Sequence, residues 1–333
     1  MEGVLLSALG GPSAPRTARP PISLADLDAR AHFLQVNAIE KSTSKCYATG
    51  ARDYITFCIK NSLPLDPTPQ TLARYIAYTS MFIASGPKYL SGARHFLRDL
   101  YPNFDSSRSH PLVQATISGS KKTRADPVTC KLPLRLTHLS AFHHVALSTG
   151  SYDDLLFIVV LSCCFYACHR SGELVSKSKK KLDWRKIIKR GSLTFDGSHR
   201  AGYRLPYHKG DRFYRGTDIL FTSQDVANPV ALLREYTRLR DFRHGALSPL
   251  FLREDGSLPT RSWFESKFFS LLDRQFGGHS CRAGGATYYA SLGLTEDVIQ
   301  ALGRWSSQAW KDYIRDNPTV RAELQLASIR LRR

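Results

Sequence analysis

The C-terminal part of the 333-residue sequence holds residue types that could act together on an anionic group. His279 and Arg282 stand three positions apart, a spacing that places both side chains on one face of a helix. Trp305 and Tyr313 follow in the same window, 279–315. A tyrosine there is either a nucleophile for the bound anion or an ordinary core residue. The choice depends on whether the rest of the chain provides the other groups that such a site needs.

Two upstream segments offer those groups. The apolar run 155–167 ends in the sequence CHRSGEL, which predicts that Arg170 and Glu173 lie where a buried helix emerges. An arginine at the end of so apolar a run is costly unless it is paired, so we expect Glu173 to hold its guanidinium. The alternative to a role in a functional site is that Arg170 and Glu173 form a purely structural ion pair. Lys209 lies in the sequence HKGD, between two alternating segments that predict a β-hairpin.

The charge balance indicates a polyanionic partner. Lysine and arginine number 47 against 28 acidic residues, which gives a net charge of +19 and a pI near 9.8. Such an excess is typical of a surface that meets phosphates, so we expect nucleic acid as the partner. No basic amphipathic helix with a bulky apolar face argues for a membrane, and the run 155–167 is well below the roughly 20 residues of a membrane helix.

Metal and nucleotide cofactors are not expected. The seven cysteines form no CxxC pair and no spacing of a zinc module, and they are interpreted as buried free thiols. The sequence also contains no P-loop.

The pattern along the chain predicts a mainly α protein with a small β-sheet, an α+β fold in two domains. Thr68 before Pro69 is typical of a helix start, and similar amphipathic segments recur in the first domain. The predicted parts are a disordered tail at 1–27, a helical domain at 28–118, a basic linker at 119–133 and a second domain at 134–333.

Three basic segments are candidates for contact with DNA, each with a simpler alternative. One helix carries Lys88, Arg94 and Arg98 on its polar face, and the alternative to DNA contact is that this face is simply exposed to solvent. The predicted linker carries Lys121, Lys122 and Arg124, although many linkers are simply polar. The segment 176–190 has eight basic residues and one acid, and it reads as a nuclear-import patch, a phosphate-contacting loop or a solvated turn.

These motifs occur in the order found in tyrosine recombinases, which the chain resembles: R-x-x-E-L, a hairpin lysine, H-x-x-R, G-R-W and a tyrosine. Residues 30–120 resemble the family's helical core-binding domain, and 134–333 resemble its catalytic domain. The segment GRWSSQAWKDYIR is most similar to forms encoded by eukaryotic mobile elements of the Crypton and DIRS types. That likeness implies a nuclear protein, and a bacterial origin would instead imply the cytoplasm and nucleoid.

The resemblance implies a role for each candidate. Tyr313 would attack the scissile phosphate of double-stranded DNA and form a 3′-phosphotyrosine that preserves the bond energy for rejoining. Arg170 and Arg282 would donate bidentate hydrogen bonds to the non-bridging oxygens. His279 would accept a proton or donate a hydrogen bond, and Lys209 would protonate the departing 5′ oxygen. This transesterification implies no cofactor.

One position departs from the pattern. In many members of the family a histidine or tryptophan directly follows the glycine and precedes the tyrosine by nine residues, but here that position is Arg304. Either Trp305 takes the role through a small helical shift, or Arg304 contacts phosphate while Trp305 packs beneath the site. We predict that Trp305 takes the role.

Assembly and activity leave alternatives open. The segment 317–333 predicts a helix that, as the resemblance implies, docks on a neighbouring protomer in a dimer or tetramer on DNA; packing within its own chain is equally consistent. A type IB topoisomerase and a catalytically silent DNA-binding protein are the competing functions. The H-x-x-R pair and the helical first domain favour a recombinase over a topoisomerase.

Overall fold

The computed structural model describes residues 20–124, 131–178, 182–211, 213–307 and 311. The chain divides into two compact units, Met1–Val128 and Thr129–Arg333. Within the described residues the first unit is all helical, whereas the second combines helices with one small sheet. The predicted fold class, mainly α with a small β-sheet, is therefore confirmed.

Six helices of the first unit are described. They are α1 (Leu24–Val36), α2 (Lys41–Lys60), α3 (Pro69–Ser80), α4 (Gly86–Leu97), α5 (Phe104–Ser109) and α6 (Pro111–Arg124). The predicted start of α3 is confirmed, because the Thr68 side chain accepts a hydrogen bond from the backbone N–H of Thr71, 3.2 Å away.

Two helices extend across boundaries that were predicted from the sequence. Helix α1 begins at Leu24, inside the segment 1–27 that was expected to be a disordered tail, and the Ser23 side chain caps it through the N–H of Asp26. The linker was predicted from Gly119, but α6 continues to Arg124. Basic residues are good helix formers, so the lysines that suggested a linker instead end a helix, where their charge is also favourable.

Close backbone contact between α2 and α4 organises the first unit. A Cβ atom added at Gly92 would lie 2.3 Å from the carbonyl oxygen of Tyr47, and one added at Gly50 would lie 2.6 Å from that of Tyr89. Both distances are far below normal contact, so only glycine permits this approach. The core of the unit then fills with aromatic and aliphatic residues, among them the fully buried Tyr54, Tyr75, Leu72, Ile76 and Leu90.

The second unit surrounds one buried helix. Its elements are α7 (Leu136–Thr149), α8 (Tyr152–Tyr166), α9 (Ser171–Leu174), β1 (Thr194–Asp196), β2 (Arg200–Leu205), β3 (Thr217–Thr222), α10 (Pro229–His244), α11 (Arg261–Phe268), α12 (Ser280–Ser291) and α13 (Glu296–Gly303). Twelve of the 15 residues of α8 are buried, as its unbroken apolar run predicts. Helices α7, α10 and α12 pack around α8.

The sheet is antiparallel with the strand order β1, β2, β3. In the register between β2 and β3, Arg200 pairs with Thr222 and Leu205 with Thr217. The connection 206–216 carries Lys209 in a turn at residues 209–210, as the hairpin prediction required.

Glycines let α12 approach the end of α8 closely. A Cβ atom at Gly285 would lie 2.0 Å from the carbonyl oxygen of Phe165, and one at Gly284 would lie 2.4 Å from that of Leu134. This contact holds the first turn of α12 beside the segment that follows α8. None of the helices in the described ranges has the length and apolar character needed to cross a membrane.

We expect Gly92→Ala to destabilise the first unit by about 1–3 kcal/mol, because the new methyl group forces α4 away from α2. The control is Gly119→Ala in α6, where an added Cβ meets nothing within 4 Å. That change should be stabilising by about 0.5–1 kcal/mol, since alanine restricts the unfolded chain and favours a helix. Urea unfolding followed by circular dichroism measures both, and equal midpoints for the two variants would contradict the close-packing argument.

Candidate functional site

Four separate elements of the second unit contribute to the candidate site. Arg170 is the N-cap residue of α9, and His279 is the N-cap residue of α12. Lys209 lies in the connection between β2 and β3. Arg304 and Trp305 directly follow α13. Tyr313 lies outside the described residues, as does the predicted helix at 317–333.

The carboxylate of Glu173 is the common partner of this site. Its oxygen Oε1 accepts a hydrogen bond from Nη1 of Arg170 at 3.1 Å, so the ion pair expected from the sequence is present. Its oxygen Oε2 accepts from Nη2 of Arg304 at 3.1 Å and lies 2.9 Å from Nδ1 of His169. The side chain of Glu173 is 6% exposed, so these charge-assisted contacts form out of water, where they are strongest.

His169 is a site residue that the sequence reasoning missed. The chain turns at Cys168, whose φ of 47° is left-handed, and directs His169 into the interior. An ionised Glu173 only accepts hydrogen bonds, which assigns the proton of neutral His169 to Nδ1. The hydroxyl of Tyr203 on β2 then donates to Nε2 across 2.9 Å. The spacing of His169 and Glu173, four residues apart, was the signal in the sequence.

Burial and charge set the protonation of this pair. Burial, and after it the positive charge of Arg304, lowers the pKa of His169 to about 4 against the opposing effect of Glu173. Burial alone would raise the pKa of Glu173. The hydrogen bond to His169 and the nearby positive charges outweigh it and hold that pKa well below the usual range. At neutral pH the pair is therefore a neutral imidazole beside a carboxylate.

Arg282 is fully buried and held in one position. Its Nη1 donates to the carbonyl of Cys168 at 2.7 Å, and its Nη2 donates to the carbonyl of Gly303. The guanidinium carbon lies 4.0 Å from the centre of the Trp305 ring, a cation–π contact. Burial, and after it the charge of Arg170, lowers the pKa of Arg282 to about 10, so it remains charged at neutral pH.

His279 and Lys209 are exposed at the edge of this buried group. The pKa of His279 lies below its usual value, first because protein on one side desolvates the ring. Positive charges on Arg170, Arg282 and Lys209, in that order, lower it further. The charges of Arg170, Lys209 and Arg282 are therefore close enough to His279 to lower its pKa, although these four residues are as much as 112 positions apart in sequence.

Arg304 and Trp305 occupy different places. Arg304 has a left-handed backbone with φ of 56°, and its side chain turns inward to Glu173 and to the carbonyl of Ala167 at 3.3 Å. Trp305 packs with Cys168, Ala286 and Ile299, and its ring lies against the guanidinium group of Arg282. Both are largely buried, so which of them meets the reacting phosphate stays a prediction.

The basic candidates of the first unit differ in availability. Lys88, Arg98, Lys121 and Lys122 are exposed. Arg94 is instead engaged by Asp105, with 2.6 Å between Nη2 and Oδ2. Arg124 donates to the carbonyl of Ser80 at 3.0 Å. The side chains of the described segments contain no group of three or more histidine, cysteine, aspartate or glutamate residues that could hold a metal ion.

Solved structures with this architecture are site-specific recombinases and integrases. The chain is similar to the XerH site-specific recombinase bound to palindromic difH substrate in a post-cleavage complex, with a TM-score of 0.53, 17% identity, and coverage of 79% of this chain and 72% of that one. It also matches a lambda integrase dimer bound to a COC′ core site, with a TM-score of 0.49, 13% identity, and coverage of 89% and 97%. No protein-family model and no curated protein sequence matches the chain.

The fold is therefore that of the tyrosine recombinases. At 17% identity the likeness to XerH establishes the fold alone.

The buried imidazole predicts a pH dependence of stability. As pH falls from about 6.5 towards about 4, the unfolded chain takes up a proton at His169 that the native state excludes, so stability decreases. The full effect is up to about 3 kcal/mol. Urea unfolding of the wild type and of His169→Gln between pH 7 and pH 4 measures it. We expect a flatter dependence in the variant, and parallel curves would contradict a neutral buried His169.

Proposed function

We propose that this protein is a tyrosine recombinase that binds double-stranded DNA, cleaves one strand through a 3′-phosphotyrosine at Tyr313 and rejoins it. The observation that carries the proposal is a group of four residues beside the buried carboxylate of Glu173, in a unit with the recombinase fold. The four are Arg170, Lys209, His279 and Arg282. Such a grouping suits an anionic transition state better than a structural ion pair, because its positive charges exceed the single carboxylate between them.

The reaction is a pair of transesterifications. The phenolic oxygen of Tyr313 attacks phosphorus, the bond to the 5′ oxygen breaks, and that oxygen takes a proton from Lys209 as it leaves. Arg170 and Arg282 stabilise the charge on the two non-bridging oxygens. His279 receives the phenolic proton or donates a hydrogen bond to the phosphate. The reverse sequence, with a new 5′ hydroxyl as nucleophile, rejoins the strand.

Preorganisation supports this assignment. Arg282 is fixed by two backbone carbonyls and by the Trp305 ring, so its charge needs no rearrangement when the transition state forms. Its Nε is a buried donor for which the described residues provide no acceptor. A buried donor without an acceptor costs free energy that an approaching phosphate oxygen would recover.

Contact with DNA outside the reacting phosphate is assigned to exposed basic residues of the first unit. Lys88, Arg98, Lys121 and Lys122 are exposed and available for phosphate contacts, although Nε of Arg98 lies 3.5 Å from Oδ1 of Asp99. Arg94 and Arg124 contribute less because each makes a closer hydrogen bond within the protein. Counterion release from such contacts makes the affinity fall steeply with salt. From the resemblance of the segment 317–333 to the family's terminal helix, we further propose assembly as a dimer or tetramer on DNA. From the motif GRWSSQAWKDYIR, we propose a Crypton or DIRS type of mobile element as the source and a nuclear location.

We expect a covalent adduct between Tyr313 and DNA. The purified chain is incubated with nicked duplexes of random sequence, because loss of the short fragment released by cleavage prevents rejoining. Denaturing electrophoresis should reveal the adduct, and the released strand should carry a 5′ hydroxyl that polynucleotide kinase labels. Tyr313→Phe should abolish the adduct, since the nucleophilic oxygen is gone.

The control is Tyr288→Phe in α12 of the same unit, which removes a hydroxyl that donates to the side chain of Gln224. It should retain the adduct. An adduct that survives in Tyr313→Phe would assign another nucleophile. Binding without any adduct would favour the catalytically silent DNA-binding protein. Relaxation of supercoiled plasmid by cleavage without sequence preference would instead indicate topoisomerase activity.

The two residues after Gly303 are distinguished by cleavage rates. We expect Trp305→Ala to slow cleavage by about 100-fold, because Arg282 loses the ring that holds its guanidinium. Arg304→Lys retains a charge beside Glu173 and should cleave at close to the wild-type rate. Unfolding of both variants, and of Arg304→Ala, is measured in parallel. Slow cleavage by a folded Arg304→Ala beside normal cleavage by Trp305→Ala would reassign the role to Arg304.

A further inference from the structure

An aromatic and basic cluster lies at the base of the connection that carries Lys209. The rings of Tyr207 and Tyr214 contact each other with their centres 5.0 Å apart, on either side of Lys209 in sequence. Lys186 lies over the Tyr207 ring at 4.2 Å, and Arg185 lies over the Tyr214 ring at 4.6 Å. These four residues are called the hairpin clamp below.

The basic half of the clamp is itself held in place. Asp183 caps the short 3₁₀ helix Trp184–Lys186 by accepting from the N–H of Arg185 at 3.2 Å. The same carboxylate pairs with the Arg185 guanidinium through two contacts of 2.9 Å. This fixes the direction of Arg185 above the Tyr214 ring, so the cation–π contact does not depend on a freely rotating side chain.

The connection has further internal supports close to Lys209. Oδ1 of Asp211 accepts from the N–H groups of Phe213 and Arg215, and its Oδ2 accepts from that of Gly216 at 2.8 Å. The His208 ring accepts from the N–H of Gly210 at 3.2 Å. These bonds restrict the backbone of the connection close to Lys209.

We propose that the hairpin clamp positions Lys209 for proton transfer to the leaving 5′ oxygen, an inference that rests on the function proposed above. A general acid works only when it is within hydrogen-bond reach of the oxygen that it protonates. The sheet fixes the two ends of the connection at Leu205 and Thr217, and the clamp holds its base together, because Tyr207 and Tyr214 contact each other and are tied to Lys186 and Arg185. The four clamp residues are positioning residues that act through Lys209.

This assignment gives the basic segment 176–190 a specific role. The segment was equally consistent with nuclear import, phosphate contact or a solvated turn. Lys186 faces a tyrosine ring and is partly buried, which distinguishes it from Lys189, an exposed neighbour over the Trp184 ring at 5.3 Å. A simple phosphate contact would use the more exposed of the two lysines.

The first test measures order at Lys209 without DNA. A nitroxide is attached to the full chain at Lys209→Cys, with Cys46 and Cys130 replaced by serine so that only one site reacts. We expect Lys186→Met to increase the mobility of the label in electron paramagnetic resonance spectra. Lys186→Arg, which keeps a cation over the ring, should restore the wild-type spectrum. Lys189→Met removes the same charge from the same segment and should leave the spectrum unchanged.

The second test measures the consequence for chemistry. With Lys209 intact, Lys186→Met should slow cleavage of ordinary DNA by about tenfold or more while DNA affinity stays near that of the wild type. On duplexes whose leaving 5′ oxygen is replaced by sulfur, the variant should cleave as fast as the wild type, because a thiolate departs without a proton. Lys189→Met should behave as the wild type on both substrates.

The outcomes separate the inference from the proposed function. If the wild type forms no adduct with any DNA, the proposed function fails and the label mobility still decides whether the clamp orders the connection. If Lys186→Met leaves the label unchanged, the clamp is wrong. If it mobilises the label but slows both substrates equally, or if it weakens DNA affinity instead, Lys186 does not position a general acid and the inference is overturned.

Discussion

The carboxylate of Glu173 is the interaction on which the candidate site depends. It is almost fully buried and contacts His169, Arg170 and Arg304 at distances of 2.9 to 3.1 Å. A buried carboxylate is unfavourable by itself, and so are the arginine and the imidazole beside it, but together they satisfy one another. Removing any one of them leaves an uncompensated polar group. The carboxylate of Glu173 thus holds the segment after α8 and the segment after α13 together through its ion pair with Arg304.

Glycine contacts bring the rest of the site to that anchor. Because Gly284 and Gly285 let α12 lie directly against the segment before α7 and the end of α8, Arg282 reaches the carbonyls of Cys168 and Gly303. The same principle organises α2 and α4 in the first unit through Gly50 and Gly92. In both units, backbone contact defines the geometry and side-chain packing then fills the remaining space.

The sequence was informative wherever a local pattern has one physical solution. The apolar run of α8, the Thr68 cap, the hairpin that bears Lys209 and the pairing of Arg170 with Glu173 all follow from periodicity, capping or the cost of burying a charge. It was less informative where composition is ambiguous: Lys121 and Lys122 suggested a linker, and they lie in the last turn of a helix. It also missed His169 and the hairpin clamp, because their partners Tyr203, Tyr207 and Tyr214 are distant in sequence and only the folded chain brings them together.

The left-handed backbone at Arg304 limits how this site can change during evolution. With φ at 56°, the position tolerates glycine, asparagine, aspartate and histidine better than other residues and strains β-branched ones. Histidine is among these residues and is therefore compatible with the backbone conformation at position 304. Replacement of Arg304 by histidine leaves the turn intact, provided that the buried carboxylate keeps a donor. Backbone conformation and charge pairing thus restrict this position independently of each other.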